Sequence, residues 1–256
     1  MKTKFIFLGC GSSVGVPRID GYWGKCKKNN KKNIRTRCSG IVIKGSNSIL
    51  IDTSPDLKQQ ILANKIKNIS SVLFTHEHAD QTNGLFELRP FFWKLKKRIN
   101  IYGDSKTIRS LKIRNDYLFK KINSYAPIVK SNIIDKKFSL GKLKEKINFN
   151  TINVKHGNTN SLVYIFHRTA YISDCNDLSI VKNKKLRNLK YLIIDCLKFT
   201  KHPTHFNFEE SLFISSRLQP YKTILTNLHH DIDYDFLLRK LPKNVLPAYD
   251  GMILNL

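Results

Sequence analysis

The stretch Thr75-His76-Glu77-His78-Ala79-Asp80-Gln81 follows the apolar run Val72-Leu73-Phe74 and precedes the turn-forming pair Asn83-Gly84. Two imidazoles two residues apart, with a carboxylate two further on, leave one short loop at the end of a strand. In a tight loop such side chains converge on one or two cations. Imidazole nitrogen suits Zn, Fe, Mn or Ni, and the carboxylate adds a harder oxygen. With eight histidines in the chain, two in one loop is common. Two with an aspartate, straight after a buried strand, is not.

Outward from this loop, other apolar runs also end in groups able to bind a metal. Asp52 follows Ile49-Leu50-Ile51, His156 follows Val154-Lys155, and Asp174 follows Tyr171-Ile172-Ser173. Chemistry at strand ends, on loops held by a rigid sheet, is where active sites usually sit. Period-two and short apolar runs predict strands over 4–8, 40–44, 48–52, 71–74, 99–102, 147–154, 162–166, 170–173, 191–195 and 223–225. Helices are expected over 55–64, 105–119, 208–218 and 234–241. Ser54 is the expected cap of the first, with Pro55 opening it, and Asn207 caps the third, with Glu209 and Glu210 in its first turn. Strands with interspersed helices imply a layered α/β or α+β fold.

The chain of 256 residues is 41% hydrophobic and 11% aromatic, enough to bury a core and inconsistent with a disordered chain. No repeat, low-complexity tract or long linker divides it, so one domain over 1–256 is expected. No run approaches the roughly 18 apolar residues of a membrane span. Met1 to Cys10 superficially resembles a signal peptide, but Gly9-Cys10-Gly11 breaks an apolar run of four, Phe5 to Leu8. Five cysteines without paired spacing argue against a disulfide framework. A cytoplasmic protein is the expectation. Lys and Arg number 45 against 19 Asp and Glu, a net charge of +26. Such a balance attracts polyanions. The lysines are scattered, however, and the abundance of Lys, Asn and Ile fits AT-rich codon usage. The dense run from Lys25 to Arg37 reads as a solvated loop.

The loop at 75–81 resembles the HxHxDH loop of the metallo-β-lactamase superfamily, and the rest of the chain follows in the order that resemblance implies. Asp52-Thr53 looks like the family's earlier Asp-Thr turn that supports the metal loop. His156-Gly157, 78 residues beyond His78, looks like the third metal histidine, and Asp174, 18 further on, like the bridging carboxylate. The N-terminal Leu8-Gly9-Cys10-Gly11-Ser12-Ser13-Val14-Gly15-Val16-Pro17, the Thr226-Asn227 pair and the terminal Pro247-Ala248-Tyr249-Asp250-Gly251 are similar to the branch containing the phosphoribosyl 1,2-cyclic phosphate phosphodiesterases. The tRNA 3′-end endonucleases are cousins of that branch.

The resemblance implies a four-layer αββα sandwich and a hydrolase with one or two divalent ions, Zn or Mn. His76, His78, Asp80, His156 and Asp174 would be ligands, with a metal-activated hydroxide opening a cyclic phosphate on a phosphorylated sugar. Asp80 would also orient the nucleophile. His205, 22 residues before Asn227, would be the general acid, with His202 the weaker candidate. The substrate's phosphate would meet arginines drawn from Arg18, Arg35, Arg37 and Arg89. Two departures matter. Gln81 and Asn227 stand where the family has second-metal histidines, which implies a weaker or more oxygen-loving second site, unless His229 or His230 substitutes. Cys26 and Cys38 are too few and too far apart for the branch's structural zinc, so packing is expected to hold the N-terminal loop. A small phosphorylated substrate is the expected partner, and a homodimer is compatible with the sequence. An RNA-processing nuclease, a metal-poor binding protein and a thioester hydrolase are the competing readings. The nuclease members carry an extended basic arm for which this chain has no insertion long enough.

Overall fold

The computed structural model describes residues 1–256. The first sheet contains β1 (Thr3–Gly9), β2 (Ser39–Lys44), β3 (Asn47–Ile51), β4 (Ser71–Leu73), β5 (Ile99–Gly103), β6 (Val129–Ile133) and, closing the chain, β14 (Ile253–Asn255). Its order is β14-β1-β2-β3-β4-β5-β6. The second sheet contains β7 (Lys137–Leu140), β8 (Ile147–His156), β9 (Thr159–Phe166), β10 (Thr169–Ile172), β11 (Tyr191–Asp195), β12 (Lys222–Thr226) and β13 (Val245–Pro247). Its strands run in the order β13-β12-β11-β10-β9-β8-β7. The helices are α1 (Leu57–Ala63), α2 (Ala79–Thr82), α3 (Arg89–Leu95), α4 (Ser105–Arg114), α5 (Phe208–Leu218) and α6 (Tyr234–Lys240).

Alternation along the strands builds the layers. Phe5, Phe7, Ile49, Ile51 and Leu73 point between the sheets, against Phe149, Tyr164, Phe166, Tyr171, Ile193 and Ile224. Their neighbours Ile6, Leu8, Leu50 and Val72 point outward and pack on α1 and α4 through Leu57, Ile61, Ile108 and Leu111. On the far face, Leu192, Ile194 and Leu225 pack on α5 and α6 through Ile214, Leu218 and Leu237. Both faces of both sheets are therefore apolar, as a helix–sheet–sheet–helix sandwich requires. This is the expected αββα architecture.

Every expected strand forms, and β6, β7, β13 and β14 are additional. Among the helices, Asn207 caps α5 through the Glu210 N–H, and the Glu210 side chain accepts from the Asn207 N–H in return. The first helix begins later than expected, at Leu57. Ser54 and Pro55 form the turn before it, in which the Ser54 hydroxyl accepts from Asp56 N at 3.1 Å. The helix expected over 105–119 ends at Arg114, and a separate 3-10 turn spans Asp116–Leu118. The short α2 and α3 were not expected.

The strand directions gather the site. In the parallel set β3, β4 and β5, Ile51 pairs with Leu73 and Leu73 with Tyr102. Asp52 and the Thr75-His76 segment therefore leave the same end of the first sheet. In the second, Ile172, Ile194 and Leu225 stand in register on the parallel β10, β11 and β12. Asp174, Asp195 and Asn227 therefore sit at one common end. Strand β8 runs antiparallel to β9, and β9 antiparallel to β10, so the C-terminal residue of β8, His156, arrives there too.

Candidate metal centre and active site

The support begins one strand away. Asp52 is fully buried in the left-handed region (φ 62°). Its carboxylate accepts from the Thr75 N–H at 2.8 Å and the Thr75 hydroxyl at 2.9 Å. With its only proton given to Asp52, the Thr75 oxygen can only accept from His76 Nδ1, 3.0 Å away. His76 is thereby fixed with its proton on Nδ1 and its lone pair on Nε2. That Nε2 is buried and has no hydrogen-bond partner in the protein. Burial lowers His76 to about 4, so the ring is neutral and able to ligate at neutral pH.

His156 is fixed the same way. Its Nδ1 lies 2.7 Å from the Thr204 carbonyl, to which it donates, and its Nε2 lies 3.3 Å from His78 Nδ1. The three rings of His76, His78 and His156 have centroids 4.4 to 5.0 Å apart. Gly157 makes this possible. Its φ is +59°, and a Cβ there would lie 2.5 Å from Thr204 Cγ2, forcing the carbonyl-bearing loop away.

Asp174 joins His156 and His205 in a second group of close ligand atoms. Burial raises the Asp174 carboxyl, but His76, His205 and His156 outweigh it and lower it. Asp80 faces the opposite balance: burial and the charge of Asp174 raise it to about 6. Between the two carboxylates lies the Gln81 amide, its Nε2 3.2 Å from Asp174 and 3.4 Å from Asp80. Gln81 Oε1 is buried without a partner.

The Asn227 amide nitrogen is already committed. Its Nδ2 donates to Ser173 O at 3.2 Å and to Asp195 Oδ1 at 3.1 Å, which uses both hydrogens. Asp195 was not anticipated from the sequence, although it ends an apolar strand as Asp52 and Asp174 do. It is fully buried and accepts from His205 Nδ1 at 2.7 Å and from Cys175 N at 3.0 Å. Burial pushes His205 down, but Asp195 more than reverses this and raises it to about 9. Burial raises Asp195 in turn. With three N–H groups on its oxygens, the ionised pair is the form this geometry supports.

His229 and His230 do not close on Asp80 and Asp174. They form a separate group with Asp231. Of the arginines expected to meet a phosphate, Arg35 is excluded. It is 1% exposed, and its guanidinium donates to the carbonyls of His229 and Ile232 and to Asn33 Oδ1. Arg18 pairs with Asp20, and Arg37 with Asp56. Arg89 lies over the Phe86 ring. The N-terminal loop is thus fastened by a buried guanidinium rather than by apolar packing alone. Cys26 Sγ donates to the Ile232 carbonyl and accepts from Arg35.

An orphaned imidazole nitrogen, an orphaned amide oxygen, three converging rings and the Asp174 carboxylate beside His156 form a donor set that fits a divalent cation. Residues 47–229 match the beta-lactamase superfamily domain. The chain belongs to the metallo-β-lactamase superfamily of metal-dependent hydrolases. It superimposes on a crystal structure described as a new diphosphatase from the PhnP family, with a TM-score of 0.89 and 30% identity over 100% of this chain and 98% of that one. Zn(2+)-bound PqqB from Methylobacterium extorquens shares the fold, with a TM-score of 0.78 and 17% identity over 99% of this chain and all of PqqB. A curated Porphyromonas gingivalis protein named octanoyltransferase is 29% identical over 97% of this chain, which spans only 51% of that protein. No helix is long and apolar enough to cross a membrane.

Proposed function

We propose that the protein is a metal-dependent phosphodiesterase that opens a cyclic phosphate ester on a phosphorylated sugar. His76, His78, His156 and Asp174 would hold one divalent ion; Asp80, Asp174 and the Gln81 carboxamide would favour a weaker second ion, Mn over Zn. The observation that carries this reading is the grouping of His76 and His78 with His156 across the two sheets, with Asp174 beside His156 and the His76 Nε2 buried without a partner. Similarity to a PhnP-family diphosphatase supports phosphoryl chemistry. A bound ion supplies Lewis-acid stabilisation of the phosphoryl oxygens and lowers the pKa of water. The chain supplies the rest. Thr75 and Thr204 set the tautomers of His76 and His156, and Asp80 orients the attacking group. His205 stays protonated at neutral pH through Asp195 and gives its proton to the departing sugar oxygen.

The deciding experiment supplies Mn²⁺, Zn²⁺ and Fe²⁺ separately to metal-free protein and assays a panel of cyclic phosphodiesters, linear diphosphates and structured RNA. Turnover of a cyclic phosphodiester is expected, fastest with Mn²⁺. The net charge of +26 favours RNA as the second reading. RNA cleavage without cyclic-ester turnover would replace the proposal with that reading.

A further inference from the structure

Glu77 stands between the two histidines of the loop at 75–81, yet its carboxylate is engaged away from the centre. Its Oε1 accepts from the Lys106 ammonium at 2.6 Å and from the Thr159 hydroxyl at 3.1 Å. The same ammonium donates to the Thr159 hydroxyl oxygen at 2.6 Å, which closes a triangle. Oε2 is buried without a partner, so Oε1 carries the whole contact. Lys106 lies in the first turn of α4, and Arg114 is the last residue of that helix. Arg114 donates to the Glu77 carbonyl at 2.7 Å and to the Thr82 hydroxyl oxygen at 3.2 Å. The Thr82 hydroxyl in turn donates to the His78 carbonyl at 2.8 Å. One helix thus grips the side chain of Glu77 from its first turn and the backbone from its last.

Thr159 opens β9 and stands across from His156 in the β8–β9 hairpin. Its bond to Glu77 is the last of three that tie the end of β4 and the loop after it to β9. Tyr164 Oη donates to Phe74 O at 2.6 Å, Leu162 N to Thr75 O at 2.9 Å, and Thr159 Oγ1 to Glu77 Oε1. This seam between the sheets sets the histidine loop against the hairpin that holds His156. The need for it falls on His78. The rings of His76 and His156 are fixed by Thr75 and Thr204. His78 is exposed, and its ring has a hydrogen-bond partner only in His156. Its place is therefore set through the backbone on either side. An ion pair whose ammonium is 60% exposed adds little to overall stability, so the effect of this one lies in placement.

We propose that Glu77 is a positioning residue: clasped by Lys106 and Thr159, it fixes His78 relative to His156 and so sets the affinity of the centre for its first ion. This deepens the phosphodiesterase reading and rests on its ligand set. The test titrates metal-free protein with Co²⁺, whose visible absorption reads both occupancy and the donors around the ion. The variants are Glu77→Ala, Thr159→Val, their combination, and Lys106→Met, whose exposed side chain can be changed with the least risk to folding. Glu77→Ala and Thr159→Val are each expected to weaken cobalt binding about tenfold and to alter its spectrum. Lys106→Met is expected to weaken binding in the same direction. The double variant should lose no more than either single one, because both remove the same contact. The melting midpoints of the metal-free variants should stay near that of the metal-free parent. Unchanged cobalt binding would overturn the clasp, as would single losses that multiply to about a hundredfold in the double variant. Weaker binding only in variants whose metal-free melting midpoint also falls would make Glu77 a structural residue and overturn it too. These outcomes are separable from failure of the parent reading, which is judged by turnover of cyclic phosphodiesters by the unaltered protein. A protein that binds cobalt through the clasp but opens no cyclic ester would keep the positioning role and lose the substrate.

Discussion

Gln81 and Asn227 stand where the family this chain resembles has second-metal histidines, and the two amides behave differently. Gln81 bridges Asp80 and Asp174 with its nitrogen and leaves its oxygen unpartnered, whereas the Asn227 nitrogen braces Asp195 and the Ser173 carbonyl. Imidazole at both positions would supply two stronger nitrogen donors. The double variant Gln81→His, Asn227→His is expected to raise bound zinc toward two ions per chain, read by elemental analysis after dialysis against limiting zinc. His205→Ala is expected to lower turnover by about 100-fold or more while leaving metal content unchanged. Loss of metal in that variant would make His205 a ligand instead of the acid. At this scale the four principal candidate ligands were legible because each sits in a short, recognisable context. Asp195 was not. Its value lies in its distance to His205, which comes from a loop that folds back from residue 205, and no linear spacing encodes that return.

Four strands escaped the sequence reading, and they are the four outer edges of the two sheets: β6, β7, β13 and β14. An edge strand packs on fewer neighbours and is kept short and polar, so it lacks the apolar run that reveals a central strand. Val129-Lys130-Ser131-Asn132-Ile133 and Lys137-Phe138-Ser139-Leu140 show this directly. Helix α3 escaped for a related reason: none of its residues is buried, so no amphipathic stripe marks it. Helix α6, by contrast, is announced by its cap. Asp233 accepts from Phe236 N, and also from Lys27 N and Asn33 Nδ2. Although burial opposes it, these donors hold the Asp233 carboxyl below its ordinary value. The charged form is therefore favoured by folding. Its contribution is present above about pH 4 and is lost as pH falls through the folded-state value. Asp233→Ala is expected to cost about 1–2 kcal/mol at pH 7 in urea unfolding. Because protonation removes the same contribution from the parent, the deficit should shrink at pH 3.

Across the whole molecule, the candidate centre draws His76 and His78 from the first sheet and His156 and Asp174 from the second. A cation held there joins the two halves of the sandwich and binds only the folded chain. Removing it with a chelator is expected to lower the melting midpoint by roughly 5–10 °C, from about 2.7 kcal/mol of linkage at a hundredfold excess over the dissociation constant. Restoring the metal should recover the loss. The layered architecture was readable in outline because apolar residues alternate faces in the central strands, and nothing in that pattern depends on the metal. The fastening of the N-terminal loop is different again. Arg35 reaches its carbonyl partners with a group that neither air nor a chelator can alter, and Cys26 beside it is buried with its thiol pushed up in pKa, mainly by burial. Starvation for metal would therefore empty the candidate centre while the N-terminal loop kept its shape, ready for reloading without any refolding of that segment.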